Sequence, residues 1–159
     1  MTIALGGFKG YIPSASAFIF EVDGMQIGTF GAVSGLELNV ETVSYREGGA
    51  NGFEHQFPGR ITWPHLVLRR GMTNSDVLFD WVQETAGPGF EKNGNKLTSR
   101  TGALTAVDSV GSPLRTWSFS RVIAVRWKGP QFDSSSADSL EEELEIAHDG
   151  FTSKTALRN

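Results

Sequence analysis

Glycine recurs where strand-forming segments end, and that placement commits the chain to short elements that reverse. Ala17-Phe18-Ile19-Phe20-Glu21-Val22-Asp23 is rich in strand formers, Gly24 supplies a turn, and Met25 to Phe30 returns as a hairpin partner. Ser34-Gly35 breaks the chain again. Leu36, Leu38 and Val40 then alternate with Glu37, Asn39 and Glu41, which predicts a strand with its apolar set on one face and its acids on the other. Ile61 to Arg69 reads as a further strand. Pro64 has no N–H to donate, so that part belongs at an edge or a strand start. Gly102 to Asp108 and Leu114 to Trp127 form a second hairpin around Val110-Gly111-Ser112-Pro113. The 19 glycines as a whole favour turns and loops over long helices.

One helix is expected. Thr73-Asn74-Ser75-Asp76 offers an N-cap with an acid near the positive helix end, and Val77, Leu78, Trp81 and Val82 make an apolar stripe that serves as a packing face. Gly87-Pro88-Gly89 stops it, and residues 88–100 read as a polar linker. Gly129-Pro130 opens a Ser/Asp-rich loop to about Asp138. The run Ser139 to His148 is ambiguous. Glu, Leu and Ala favour a helix, whereas Leu140, Leu144, Ile146 and His148 share the parity of a strand, with Glu142 as the exception. No internal repeat is visible.

With 159 residues and 39% hydrophobic content the chain suits one domain, able to bury roughly 70% of its unfolded surface. The lack of cysteine excludes disulfides, thiolate metal sites and a cysteine nucleophile. A formal net charge of -4 disfavours nucleic acid as a bulk electrostatic partner. No segment approaches the ~20 apolar residues that span a bilayer. Ser14-Ala15-Ser16-Ala17 looks like a signal-peptidase site, but Gly6, Gly7, Lys9, Gly10 and Pro13 interrupt any apolar region before it. The N-terminus reads as a mature arm, with synthesis in the cytoplasm and no general secretory export.

Residues that carry chemistry are present but not arranged for it. His55, His65 and His148 lack the i, i+4 spacing of a helical zinc pair and read as surface or interface residues. Tyr45 to Arg60, "YREGGANGFEHQFPGR", is rich in glycine but has no following Lys-Ser or Lys-Thr. It joins two strands rather than opening a helix, so it lacks the N-terminus that would cradle phosphate. Glu141, Glu142, Glu143 and Glu145 form a solvated run rather than a catalytic pair, which needs one shifted carboxyl. Arg115, Trp117, Phe119 and Arg121 would share one strand face, either as a base-stacking platform or as core aromatics flanked by solvent-reaching arginines. Trp63, Trp117 and Trp127 keep open a carbohydrate- or nucleic-acid-binding β-domain. A glycosidase using Glu141 and Glu143 is the enzymatic alternative.

An ordered set of motifs narrows these options. Phe30-Gly31-Ala32-Val33-Ser34-Gly35-Leu36-Glu37 is followed by Tyr45-Arg46-Glu47-Gly48-Gly49-Ala50-Asn51, Pro58-Gly59-Arg60 and Leu68-Arg69-Arg70-Gly71-Met72-Thr73. Trp117-Ser118-Phe119, Trp127-Lys128-Gly129-Pro130 and Leu144-Glu145-Ile146-Ala147-His148-Asp149-Gly150 complete it. Over roughly Phe18 to Phe151 the chain resembles the tail tube proteins of contractile phages and the related inner-tube proteins of phage-tail-like extracellular contractile injection systems. The arm before Phe18, the linker at 88–100 and the tail after Phe151 depart from the pattern. They leave both the main tube subunit and a tube-initiating subunit near the baseplate open.

The resemblance implies a mainly β fold, sandwich-like or barrel-like with one α-helix, closing into a ring-shaped barrel in a hexamer. It divides the chain into an arm at 1–16, a tail tube domain at 17–151 and a C-terminal tail at 152–159. It implies stacked hexameric rings forming a hollow tube inside a sheath, with baseplate or hub and terminator proteins as further partners. Cargo or DNA passes through the lumen as the tube is driven through a target envelope. No enzyme activity, catalytic residue, cofactor, metal or membrane anchor is implied. The particle would assemble in the cytoplasm, as part of a virion or an injection device. Leu140 to Ala147 becomes a strand. Tyr45, Arg46, Glu47, Gly48, Gly49, Asn51, Phe53 and Phe57 are expected at a subunit interface: charges for a neighbour, glycines for the turn, phenylalanines as anchors. Glu141, Glu143 and Glu145 are expected on a lumen or solvent face.

Overall fold

The computed structural model describes residues 14–49, 52–135 and 140–155. Strand β1 (Ala17–Val22) folds back on β2 (Met25–Phe30) through Asp23 and Gly24, at φ 51° and 79°. Two successive positive φ values make the turn whose twist suits a hairpin. The other edge of β1 pairs with β7 (Arg100–Val107), which returns as the long strand β8 (Pro113–Lys128). Both expected hairpins are present.

β8 serves two neighbourhoods. Its first half pairs with β10 (Phe151–Thr155) as well as β7, and its second half pairs with β9 (Glu141–Ala147). Arg121, at φ 50°, lies at the handover, where the strand must bend. β9 pairs with β6 (Leu66–Gly71), and β6 with β3 (Ala32–Ser34). The strand order is therefore β2-β1-β7-β8-β9-β6-β3. Its two ends are consecutive in the chain. β3 continues β2 past Gly31, whose N–H donates to the Arg69 carbonyl at 3.0 Å. The sheet thus curls until one stretch of chain bonds both of its edges, a barrel-like closure.

Phe20, Val22, Phe30, Leu66, Leu68, Leu104, Phe119, Val122, Leu144 and Ile146 fill the interior. Helix α1 (Val77–Thr85) lies on β8 and adds Leu78 and Trp81, with the Trp81 ring stacked 6.2 Å from Phe20. Asp76 is its N-cap residue, though without a side-chain capping bond. The supposed linker at 88–100 begins with a second short helix, α2 (Pro88–Lys92). Proline is tolerated there because a first-turn N–H has no helical partner. Among the described residues no helix is long and apolar enough to cross a membrane.

Two of the expected strands change, and the strand expected over Leu140 to Ala147 is present. The strand expected from Leu36 starts at Asn39: β4 (Asn39–Tyr45) is exposed throughout, so its alternation faces no core. The strand expected over 61–69 is interrupted at Trp63-Pro64-His65, dividing β5 (His55–Thr62) from β6. The run ending at Ala147 is strand β9, where pairing on both sides overrides helical propensity. Of the N-terminal arm only 14–16 is described, with the Ser16 N–H bonded to the Val107 carbonyl. β10 extends to Thr155, into the stretch set apart as a tail.

Gly35 is required where it stands. At φ +81°, a Cβ would lie 1.9 Å from the His65 carbonyl oxygen. Gly35→Ala is expected to lower stability by about 2–4 kcal/mol, from a left-handed backbone and forced displacement together. Urea denaturation checks this, and a loss under about 0.5 kcal/mol would show that the contact is easily relieved.

Candidate interface site

β4 and β5 form a separate two-stranded ribbon, the outward continuation of the β3 and β6 chains. Val43 opposes Phe57 and Tyr45 opposes His55 on one face; Val40 opposes Ile61 on the other. The Phe53 and His55 rings meet edge to face at 5.1 Å, with Phe57 6.5 Å beyond His55. Tyr45, Phe53 and Phe57 remain 58%, 64% and 55% exposed. An isolated hairpin is marginal in water, and clustered exposed aromatics mark a contact surface.

At the tip Arg46 and Glu54 pair with each other across the loop, and Gly49 turns at φ +103°. Glu47, Gly48 and Gly52 line the same open concavity. Asn51 lies outside the described residues. The described ones among the predicted interface residues therefore gather on one projection, and of them only those at 46–49 and 52–54 are loop. Phe57, Pro58, Gly59 and Arg60 belong to β5, where a register shift beside Gly59 fits its close approach to the Glu41 carbonyl. Arg46 is engaged within its own tip rather than held free.

The acids of β9 do not form a bare negative wall. Glu143 accepts from Arg69 Nε at 2.8 Å and from Arg126 Nη2 at 2.7 Å; Glu145 accepts from Arg126 Nε at 2.7 Å and bonds His65 Nδ1 at 2.7 Å. This alternating ladder crosses β6, β9 and β8. The Arg69 hydrogen bond first, with the charges of Arg69, Arg126 and Lys128, holds the Glu143 carboxyl below its ordinary range. The bonds from His65 and Arg126 do the same for Glu145. Glu141, at the strand end, is exposed.

Glu142 is the acid turned inward. It accepts from Arg70 Nε at 3.0 Å, with the two side chains only 6% and 9% exposed. Arg70 also donates to Thr73 Oγ1 and lies 5.6 Å over the Phe30 ring. A Cβ on Gly28 would sit 2.8 Å from Arg70 Nη1, so glycine makes room for it. The broken parity at Glu142 was the sequence's signal for this pair; Arg70 carried none.

The other candidates separate. Phe119 is buried, Trp117 packs against the core under Arg115 at 5.7 Å, and β8 bends at Arg121, so the stacking platform does not form. Trp63 packs on Phe151, and Trp127 on Phe79. His55 stands on the ribbon, His65 in the ladder, and His148 is buried. Among the described residues no group of three or more His, Asp or Glu is placed to hold a metal.

A curled β-sheet with a projecting ribbon and a charge-paired face is a scaffold without a catalytic arrangement among the described residues, and its fold is shared by chains of contractile injection particles. A solved chain from the PVC sheath-tube complex of an extracellular contractile injection system, in the extended state, shares 25% identity. It covers 93% of this chain and 95% of its own, with a TM-score of 0.75. The PVC sheath/tube terminator chain also shares 25%, covering 91% and 98% at 0.73. The anti-feeding prophage tube terminating cap shares 22%, covering 98% and 100% at 0.76, and supports the fold. Comparison with curated protein sequences gives no match. The T4-like virus tail tube protein gp19 family matches residues 14–152, and the chain belongs to that family. It is a tail tube protein, structural rather than enzymatic.

The two kinds of ion pair should respond differently to mutation. Arg70→Ala leaves Glu142 buried and unpaired and should cost about 3–5 kcal/mol. Arg69→Ala, at a half-exposed pair, should cost about 1 kcal/mol or less. Urea midpoints measure both, and equal losses would contradict the distinction. Because the Glu143 and Glu145 values are depressed on folding, their contribution is full above the unfolded glutamate pKa of about 4.3 and is lost as pH falls through the folded values. A Glu143→Gln, Glu145→Gln double variant should therefore show a flatter acid limb in its stability profile.

Proposed function

We propose that this chain builds the inner tube of a contractile tail or contractile injection particle, as hexameric rings stacked through the β4–β5 ribbon. The ribbon carries the reading: apolar residues on both faces and an unpaired edge on each strand have no cover among the described residues. In a closed ring such edges become specific contacts rather than aggregation sites. Phe53 and Phe57 are the anchors, seated on a neighbouring copy, with the Gly48-Gly49 turn fitting the tip against it. Likeness to chains of a sheath-tube complex and a sheath/tube terminator supports sheath and terminator proteins as partners. We assign the ladder face of β9, with Glu141, Glu143 and Glu145, to the lumen or solvent side. Its paired charges leave little excess to trap a charged cargo.

Purified protein at high concentration should form tubes of uniform diameter by negative-stain microscopy. Replacing Arg46–Glu54 with a two-residue Asn-Gly turn should preserve the circular dichroism spectrum and abolish stacking. Phe53→Ser with Phe57→Ser should reduce tube yield at least tenfold. Normal tubes from the trimmed chain would overturn the ribbon's role. A strictly monomeric wild type, missing from purified particles, would overturn the tube reading.

A further inference from the structure

We propose that the Trp63-Pro64-His65 corner is an acid-labile latch on the ribbon, released when His148 takes up a proton. The inference rests on the ribbon as the subunit contact and adds a means of regulating it.

His148 lies in an aromatic cage, with ring centroids of Phe119, Phe151 and Trp63 at 5.0, 6.0 and 6.1 Å. Its two nitrogens have different partners. The Gly150 N–H donates to Nδ1 at 3.1 Å, so Nδ1 carries no proton. Nε2 lies 3.1 Å from the Pro64 carbonyl and must be the donor. The fold therefore accepts one neutral tautomer.

One chain of the ribbon's root meets this histidine, and the other rests on the corner that does. Pro64 lies between β5 and β6, and Gly35, which leads toward β4, touches the carbonyl of His65. Trp63 covers Gly150, where a Cβ would fall 2.9 Å from the indole. The turn bearing His148 is fixed to β8, by Ser120 N–H to the Gly150 carbonyl and Asp149 N–H to the Ser120 carbonyl, each at 3.0 Å. His148 thus joins a fixed side to the ribbon root.

A proton arriving from solvent at Nδ1 turns that atom into a donor facing the Gly150 N–H. Their hydrogen bond breaks, and a cation is left inside three aromatic rings. The charged or titratable groups facing the site are His65 on the corner, bonded to Glu145 of β9, and Asp149 on the turn, paired at 3.5 Å with Arg121 of β8. β10 presents only Phe151. Burial first, and then the charge of His65, holds the His148 value below the ordinary histidine range, while the Pro64 carbonyl and Asp149 pull upward. The sign follows: the neutral ring stabilises the fold fully above the unfolded pKa of about 6.5, and that contribution is lost as pH falls through the folded value.

Tubes of the full chain, pelleted from pH 7.5 to 4.5, provide the test. Wild type should release at least tenfold more soluble subunit across a transition below about pH 6. His148→Gln, neutral throughout with a donor and an acceptor, should hold its tubes at least one pH unit lower, while His65→Gln, which removes a charge that holds the His148 value down, should keep the transition and move it toward higher pH. A His148→Gln profile that tracks wild type, or wild-type tubes intact at pH 4.5, overturns the latch. If His148→Gln does not fold, ¹⁵N NMR of the wild-type subunit decides. The Nε2–H tautomer at pH 7, with Gly35, Trp63 and His65 amides titrating together with His148, supports the latch; the Nδ1–H tautomer overturns it. If wild type forms no tubes at any pH, the tube reading fails, and the same NMR titration still decides the latch.

Discussion

Everything in this subunit depends on one stretch of chain bonding both edges of the sheet. Met25 to Phe30 pairs with β1, and after Gly31 the same chain pairs with β6. Closure satisfies the backbone at two would-be edges and encloses an apolar interior without a second sheet. It also fixes the direction in which the chain must leave. Beyond Ser34 the β3 chain passes over Gly35, tight against His65, and the only continuation is outward as the ribbon. The projection, uncovered among the described residues, is thus a direct result of how the barrel closes.

Charge is arranged in pairs, inside the barrel and on its face. The one acid turned inward, Glu142, is matched by Arg70, and Gly28 and Phe30 shape the space that holds the guanidinium. On the outer face each ladder carboxylate is shared between two cations or a cation and His65. A chain of net charge -4 thus presents a face of paired charges at β9. In the proposed tube the packed barrel and the exposed ribbon divide the work: the first keeps a fixed shape, and the second reaches a neighbour.

Much of the fold was legible because turn chemistry and alternation agreed. Asp23-Gly24 and Gly111-Ser112-Pro113 sit between segments of period two, and both hairpins formed there. Elsewhere a local signal was overridden. Glu-rich β9 favours a helix by propensity, and pairing with β6 and β8 made it a strand. Leu36, Leu38 and Val40 look like a core-facing set, yet of these Leu36 packs against the core and the other two are exposed, since alternation reports a strand without reporting what covers it. The family motifs led to the expectation of an interface at the tip region and did not show where loop becomes strand, because Phe57 to Arg60 contains Pro58 and Gly59 and still belongs to the strand paired with β4. The Arg70–Glu142 pair and the His148–Pro64 bond each join residues more than seventy positions apart, which no local pattern carries.

A cryo-EM map of the assembled particle tests the central claim most directly. The account predicts this chain in stacked rings, with the ribbon Asn39–Thr62 buried between copies and the Phe53 and Phe57 rings seated on a neighbour. A tube in which every copy holds that ribbon free in solvent, or a particle whose tube lacks this chain, would contradict it.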